Sequence, residues 1–547
     1  MNKYLIQFLV SICFLSIFSL YNSSSVLIQT NSFKDNIVIG DFSKVQEDID
    51  QILKKASLIN PAFNPYQNQI KEKLKSILKN WETFLVFTSK NEILLKDSDL
   101  YKINIVYLNF VEEILSDVDS LLFSVSEIQN LILNPSYKFQ DNYLINTKLY
   151  DSLDNLQKRI NEIKNHLKLI QSLAGIKKQN SILVLLQNDY EPRATGGFTS
   201  AILDIQIFNG QIKNIQLIDV YDLDGQLIPD LKTPQEFADF NSKLFIRDSN
   251  FDPDFRSSAL LIDRQIQRAI SKSFDFIASV NLSFLNEIIK EPIDLKYQYS
   301  LLDKSLLTSS VKNHIQIILK EILKSPELLK KSFRQRDIQL TAKDTNIDQI
   351  LKQNDFYHKL NPNITTISKA NVNGYKSFFS QRSTLQIVVD HSKKNVTKTI
   401  KISSKHPYSN ENQIYLESIF KQLGLNQKHD LFAGLKKEIK NFYRIYLPKS
   451  EMINDFQNEY VLLEEILNPQ QEKSNLEYSY NTNKAQFNFN EQVEVIGYKH
   501  FDDIQLIVIL PSDKELFSPL FEYKKIKENT YEIPFDSEFL VIDKEEN

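Results

Sequence analysis

The hydrophobic residues of this chain change their spacing near Asn180, and this change limits which folds the chain can adopt. Before Asn180, apolar residues recur at alternating steps of four and three, which predicts the buried seam of a packed helix. The seam consists of Leu149, Leu153, Leu156, Ile160, Ile163, Leu167 and Ile170. Gly175 follows where a helix C-cap is expected. After Asn180 the apolar runs become short and predict strands.

Two further apolar stripes with helical spacing precede this seam. One lies within residues 66–89 and the other within residues 103–133. Three long helices predict a bundle in which the stripes bury one another. A stalk or a coiled coil that binds a partner is the alternative interpretation.

The segment after Asn180 predicts an α/β core. Residues 181–187 form a continuous apolar run, which is typical of a strand that is buried on both faces. Residues 201–208 and 212–220 alternate between apolar and polar, and Asn209-Gly210 between them is a two-residue hairpin signal. Further predicted elements are helix 257–271, strand 274–280 and helices 282–289, 302–323 and 344–357. Strands that alternate with helices indicate an α/β unit.

The remainder of the chain predicts one or two β-sandwich-like units. The candidate strands are 384–389, 396–402, 442–447, 486–495 and 505–510. The polar segment 468–474 is a candidate linker.

The N-terminus carries a candidate membrane segment. Residues Tyr4–Tyr21 form an uncharged run of 18 residues, at the short edge of the roughly 17 to 25 that span a bilayer. A cleaved signal peptide is the alternative, but its apolar region is usually about 7 to 15 residues long, and the end of this run, Leu20-Tyr21-Asn22-Ser23, is a poor cleavage site. Lys3 favours an inside N-terminus by the positive-inside rule. We expect a single-pass protein of the cell membrane whose bulk is extracytoplasmic.

These patterns together predict an α+β multidomain chain. Its expected parts are a transmembrane anchor at 1–24, a helical bundle at 25–178, an α/β core at 179–360 and a β-rich, sandwich-like region at 361–547.

Charge and cysteine usage exclude several classes of protein. Lys and Arg number 65 against 69 Asp and Glu, and no basic stripe occurs, which argues against nucleic-acid binding. The single cysteine, Cys13, lies inside the N-terminal apolar run, so the chain can form neither an internal disulfide nor a cysteine zinc cluster. No pair of histidines has the i, i+4 spacing of a helical metal site.

Glycine is scarce, with 10 in 547 residues, so each glycine is expected to meet a need of the backbone. The only doublet, Gly196-Gly197, follows the predicted buried strand, at the sheet end where α/β folds bind ligands. Backbone amides at a glycine pair and the fork of Arg193 suit a phosphate or carboxylate. In the alternative interpretation, Glu191 and Arg193 form ion pairs and the glycines only turn the chain.

The segments around this doublet resemble a widespread bacterial family that is catalogued as a domain of unknown function and is frequent in membrane-anchored envelope proteins. The resemblance rests on the pattern N-x-x-E-x-R-x-x-G-G-F at 188–198 and on Arg247-Asp248-Ser249-Asn250-Phe251-Asp252-Pro253-Asp254-Phe255. Further matches lie at 274–280, 371–376 and 443–448. Ser249 and Phe251 stand where the family more often has Ala and Trp.

That family is distantly similar to the LytR-CpsA-Psr proteins, which transfer glycopolymers from polyprenyl-pyrophosphate carriers to the cell wall. This likeness implies that Arg193, Arg247 and Arg256 could meet a pyrophosphate, and that the partner is a lipid-linked glycan or peptidoglycan. The implied ligand-binding set is Asn188, Glu191, Arg193, Gly196, Gly197, Arg247, Asp248, Asn250, Asp254 and Arg256. The transferases' metal-binding aspartate after the first arginine is absent here, so catalysis is in doubt and no catalytic residue is assigned.

Asp219, Asp222 and Asp224 could hold Mg²⁺ through oxygen ligands, or they could form a solvated turn. Asp248 and Asn250 equally have the chemistry of a helix N-cap, with the helix expected to start near Pro253 and Asp254 in its first turn. Two functions follow. One is an envelope protein that binds a lipid-linked glycopolymer or, as a phosphotransferase, transfers it. The other is a non-catalytic surface scaffold that binds partners.

Overall fold

The structure is a computed structural model, and it describes part of the chain. The described residues are 161, 164–165, 167–176, 178–209, 211–229, 231–234, 243–281, 284, 331–360, 365–371, 383–392, 396–406, 438–447, 460–468, 474–481, 493–496, 503–512, 514–517, 523–533 and 540–543, with 72, 116, 119, 120, 123, 126, 154 and 158. The run Tyr4–Tyr21 and the predicted helix 302–323 lie outside this set. None of the helices formed by the described residues is long and apolar enough to cross a membrane.

Every described residue from 72 to 173 is helical. Leu167 and Ile170, two members of the predicted seam, are buried. The helix stops before Gly175, whose φ of 63° allows the left-handed turn that ends a helix. Ile176 N then donates to Gln171 O at 3.1 Å, which satisfies one of the last helical carbonyls. The C-cap prediction for Gly175 is confirmed.

A five-stranded mixed sheet follows, in the order β3-β2-β1-β4-β5. Its strands are β1 Asn180–Arg193, β2 Gly196–Phe208, β3 Gln211–Asp219, β4 Phe276–Asn281 and β5 Ile338–Ala342. The central strand β1 is antiparallel to β2 and parallel to β4. Asn209, at the predicted hairpin between β2 and β3, has a φ of 47°, as such a turn requires.

Within the described part of the chain, three helices accompany this sheet: α1 Val220–Gln226, α2 Phe255–Ile270 and α3 Thr345–Gln353. A 3-10 turn lies at Ile246–Asp248. The apolar face of α2 packs on the sheet through Phe255, Ala259, Ile262 and Ile266, all fully buried. Such burial stabilises the fold by about 25 cal/mol for each Å² of apolar surface removed from water.

The start of α2 corrects one prediction. The N-cap of α2 is Asp254, whose side chain accepts from Ser257 N at 2.9 Å, and not Asp248 or Asn250. The reason is that Asp252 and Pro253 add a turn before the helix, in which Asp252 Oδ1 accepts from Asp254 N at 2.9 Å. Asp248 and Asn250 are therefore left for other contacts.

From residue 365 on, the regular elements that the structure describes are strands. A four-stranded sheet has the order β10-β9-β6-β12 and a six-stranded sheet has the order β11-β8-β7-β13-β16-β15, with β14 and β17 paired separately. The strands are β6 Thr365–Asn371, β7 Ser383–Asp390, β8 Thr397–Ser404, β9 Ile439–Tyr446, β10 Tyr460–Leu467, β11 Ser474–Asn481, β12 Val493–Ile496, β13 Asp503–Ile509, β14 Lys514–Phe517, β15 Lys524–Lys527, β16 Thr530–Ile533 and β17 Leu540–Asp543.

The two larger sheets share one hydrophobic core, so they pack as a sandwich. Ile367 and Ile445 from the smaller sheet lie in the same buried cluster as Ile387, Ile400 and Val508 from the larger one. The predicted α+β class with several sheets is confirmed. Of the predicted strand 486–495, only the end is described, as part of β12.

Candidate functional site

The segment 188–198 forms a strand hairpin. β1 continues to Arg193, and β2 begins at Gly196, so only Ala194 and Thr195 form the turn. The pairing of β1 with β2 shifts register between Asn188 and Pro192, which marks a bulge. Because a bulge absorbs extra residues, the strand can pass through Pro192 and still pair Arg193 with Gly196.

The two glycines allow close packing around this hairpin. Gly196 has a φ of 141°, and a Cβ there would lie 2.5 Å from Asn281 Oδ1 and 2.6 Å from Gln187 Oε1. At Gly197, a Cβ would overlap the backbone of Asn188 and Asp189 in the bulge of β1. Both glycines are therefore required by neighbouring protein groups.

Arg193, the last residue of β1, is buried, with 2% of its surface exposed. Its Nη1 donates to the backbone carbonyl of Asn371 on β6, and its Nη2 lies 3.4 Å from Asp248 Oδ1. Its guanidinium also lies over the ring of Phe198, 5.3 Å from the centroid. The positive charge of Arg193 is thus compensated by protein groups from two parts of the fold.

Arg247 and Asp224 extend this ion-pair network toward the surface. Arg247 Nη1 lies 2.9 Å from Asp224 Oδ2, and Arg247 Nε lies 3.5 Å from Asp248 Oδ2. Burial raises the pKa of Asp224, and the nearby Arg247 together with the Ile246 amide partly opposes this rise. Asp248 therefore lies between two arginines, Arg193 and Arg247.

Tyr221 flanks Arg247 at the edge of this network. The Arg247 guanidinium lies 5.0 Å from the centroid of the Tyr221 ring, whose residue is 50% exposed. Burial of the hydroxyl, with the charge of the buried Glu191 nearby, raises the pKa of Tyr221, while Arg247 opposes the rise. Glu191 thus lies in the same electrostatic neighbourhood as Arg247, beside the hairpin.

Asn250 holds the hairpin turn from below. Its Nδ2 donates to Gly197 O at 2.7 Å and to Thr195 Oγ1 at 3.1 Å. Gln187 Nε2 donates to the same Thr195 hydroxyl at 2.8 Å, and Gln339 Nε2 donates to Thr195 O at 2.9 Å. All these side chains are buried. The turn is thereby fixed by β1, β5 and the segment that precedes α2.

The three arginines do not converge on one face. Arg256, in the first turn of α2, pairs with Asp348 of α3 at 2.6 Å and also donates to Thr341 Oγ1 at 3.1 Å. Arg193 and Arg247 instead share Asp248. The structure therefore brings two of the three predicted arginines together and places the third in a separate cluster.

The three candidate magnesium ligands have different environments. Asp219 caps α1 by accepting from Tyr221 N at 2.8 Å, Asp222 is exposed on the helix, and Asp224 is buried against Arg247. Among the described residues, no group of three or more His, Cys, Asp or Glu has an arrangement that could hold a metal ion. The acidic segment is thus a capped helix rather than a solvated turn.

Two residues of this region were not among the predicted site residues. Arg444 on β9 donates through Nη1 to the backbone carbonyl of Phe251 and lies over the Phe251 ring at 5.5 Å. The backbone carbonyl of Asn371 on β6 accepts a hydrogen bond from Arg193. A single sequence does not indicate that these two residues face residues almost 200 positions away.

The network around Arg193 therefore joins the five-stranded sheet to the sandwich. Arg193 reaches from β1 to β6, and Arg444 reaches from β9 to the segment before α2. A small apolar cluster of Phe251, Phe442 and Leu462 lies beside these two bridges. We call this set of contacts the junction.

A family model described as a protein of unknown function (DUF4012) matches residues 177–313. This match covers the hairpin and the segment 247–255, and it ends before Asn371 and Arg444. No curated protein and no solved structure matches the chain.

Proposed function

We propose that this chain is a non-catalytic scaffold of a bacterial cell envelope, anchored by its N-terminal apolar run. In this proposal the hairpin region holds the α/β core and the sandwich in a fixed orientation, so that the outer surfaces can bind partners. The observation that carries the proposal is the position of Arg193, which is buried and bonded to both parts.

The energetics of Arg193 favour this role over pyrophosphate binding. A phosphate that bound Arg193 would have to displace Asp248 or the Asn371 carbonyl, and breaking a buried pair typically costs about 3 to 5 kcal/mol. Asp248 would also repel the incoming anion, since it lies beside both Arg193 and Arg247. Binding or transfer of a lipid-linked glycopolymer through these arginines remains the competing proposal.

The test is binding of a polyprenyl-pyrophosphate analogue to the purified chain without residues 1–24. The variant Arg193→Lys keeps the charge and loses the fork. Arg264→Lys, at an exposed position of α2, is the matched control. We expect that the parent and both variants show no turnover, and that any binding of the analogue is unchanged by Arg193→Lys.

The scaffold proposal would be overturned if Arg193→Lys weakened binding of the analogue tenfold or more. This requires that the Arg193→Lys variant still folds and that Arg264→Lys binds like the parent. A tenfold change corresponds to about 1.4 kcal/mol, less than the loss of one charge-assisted hydrogen bond.

A further inference from the structure

A groove lies apart from the junction, between the start of α2, one face of α3 and the segment that follows α3. Its volume is about 270 Å³, against about 30 Å³ for one water in the liquid, so a polyatomic ligand fits. The charged residues that line it are Asp254, Arg256, Asp348, Lys352 and Lys359. The polar residues Thr345 and Gln349 of α3 contribute to the same wall.

The two carboxylates of the groove are already compensated. Asp348 pairs with Arg256 at 2.6 Å and accepts from Tyr357 Oη at 3.0 Å. Asp254 accepts from Ser257 N as the cap of α2, where the helix dipole favours a negative charge. Neither carboxylate is therefore left to neutralise the lysines.

The two lysines are brought together by the way the chain leaves α3. Lys352 is in the last turn of this helix, and Asp355 then takes a φ of 59°, which reverses the chain. Phe356 N bonds back to Leu351 O at 3.0 Å, and the buried Tyr357 is held by Asp348. Lys359 consequently returns to the side of Lys352.

The electrostatics at Lys352 show an excess of positive charge. The Lys359 ammonium beside it lowers the pKa of Lys352, and the charges of Asp348 and Asp254 only partly oppose this effect. Ammonium groups donate hydrogen bonds but cannot accept them, so neither of two adjacent lysines can accept a hydrogen bond from the other. An anion placed between them would accept from both.

We propose that this groove binds a phosphate group, held between the ammonium groups of Lys352 and Lys359. A phosphate group can carry two negative charges at neutral pH and accept several hydrogen bonds, whereas a carboxylate carries one charge. Arg256 contributes by neutralising Asp348, which would otherwise repel the ligand. This proposal is independent of the junction, because no residue of the groove takes part in it.

The experiment measures binding of inorganic phosphate and of pyrophosphate by the full-length chain, held in phosphatidylcholine nanodiscs, at low ionic strength to limit screening. We expect Lys352→Gln and Lys359→Gln each to weaken binding about fivefold, as for exposed charges, and the double variant to lose it. Lys359→Arg should retain binding. Lys401→Gln, at a surface lysine paired with Glu477 on the sandwich, is the matched control and should bind like the parent.

A second arm uses vesicles of phosphatidic acid, with phosphatidylcholine vesicles as reference, to distinguish a phosphate on a lipid headgroup from a free anion. Lysine-dependent binding in either arm supports the groove and identifies the source of the phosphate. Two results would overturn the proposal: no saturable binding of the parent below about 10 mM in either arm, or binding that the folded double variant retains. A polyprenyl-pyrophosphate analogue whose binding depends on Lys352 and Lys359 but not on Arg193 would support the groove and leave the scaffold proposal intact.

Discussion

At the scale of single residues, Gly197 and Gly225 differ in the space that is available for a side chain. Gly197 lies where a Cβ would overlap the backbone of Asn188 and Asp189, and backbone atoms cannot rotate away as a side chain can. Gly225, in the last turn of α1, has nothing within 4 Å of the position that a Cβ would take. Substitution at Gly197 therefore tests whether the packing requires a glycine, and substitution at Gly225 tests what glycine costs in the backbone entropy of a helix.

We predict that Gly197→Ala lowers the free energy of unfolding by about 3 kcal/mol or more, since the bulge of β1 must move to accept the methyl group. Gly225→Ala should instead raise it by up to about 1 kcal/mol, because alanine loses less backbone entropy in a helix. Urea denaturation of both variants measures the two effects. Equal stability of Gly197→Ala and the parent would contradict the packing of the hairpin described here.

The sequence predicted that the glycine doublet serves the backbone, but it did not predict which atoms approach. Scarcity of glycine and the position after a buried strand indicate a close approach at Gly196 and Gly197. The protein atoms that approach belong to the bulge of β1 and to the amides of Gln187 and Asn281. Asn281 is more than 80 positions away in the sequence, and local patterns carry no information about such distant contacts.

At the scale of elements, Asp275 joins the starts of β1 and β4. Its Oδ2 accepts from Ser181 N at 2.9 Å, and its own amide donates to Ser181 O at 2.9 Å. Partial burial by itself raises the pKa of Asp275, but the hydrogen bonds from Ser181 and Lys178 outweigh it, and the net pKa is lowered. This carboxylate therefore stabilises the parallel pairing of the two strands when it is ionised.

We predict that this stabilisation depends on pH in one direction. A carboxylate whose folded pKa lies below its unfolded value, about 3.9 for Asp, contributes stability above pH 3.9 and loses it as the pH falls through the folded pKa. Asp275→Asn should therefore destabilise the protein at pH 7 and differ less from the parent at about pH 3. Unfolding curves at the two pH values measure this difference. A variant equally destabilised at both would show that the charge of Asp275 is not responsible.

Sequence patterns located just over half of the described strands and helices and missed others entirely, among them β5, β6, β10, β11 and α1. The predicted run 181–187 is only the first half of β1, because the polar residues after it pair with β2 across a bulge, where hydrophobic periodicity is interrupted. The predicted helix 257–271 and the predicted strand 384–389 differ from α2 and β7 by one or two residues at each end. Local periodicity thus identifies regular elements, and it fails where irregular pairing extends them.

At the scale of the whole molecule, the order of strands could not be read from the sequence. In the sandwich, β13 lies parallel to β7 although more than 100 residues separate them, and β12 lies parallel to β6. Hydrophobic alternation indicates that a strand has one buried face, but it does not indicate which strand pairs with it. The junction is unpredictable for the same reason, since Arg444 and Phe251 are brought together only by the packing of the two units.

The N-terminal run gives a prediction about the location of the whole chain. Residues Tyr4–Tyr21 carry no charge, and at 18 residues the run is longer than the roughly 7 to 15 apolar residues usual in a signal peptide. We expect the mature protein to keep this segment and to stay in the membrane fraction after washes with high salt. Intact-mass measurement checks retention, and a mature N-terminus beyond residue 21 would show that the segment is a cleaved signal peptide.

The junction gives a prediction about cooperativity. The α/β core and the sandwich each have a hydrophobic core of their own, and the described contacts between them include the bridges of Arg193 and Arg444 and the cluster around Phe251. If these contacts couple the two units, the parent should unfold in a single transition. Removal of both arginines should then leave two units that unfold separately.

We therefore predict that Arg193→Ala and Arg444→Ala each lower the stability of the parent, and that the double variant shows two calorimetric transitions. Arg193→Ala should cost about 3 kcal/mol, near the lower end for breaking a buried pair, because Asp248 keeps Arg247 as a partner. Lys401→Ala, on the surface of the sandwich, is the control and should leave one transition at nearly the parent temperature. A double variant that still unfolds in one step would mean that the two units are coupled by contacts other than these arginines, and the scaffold role assigned to Arg193 would fail.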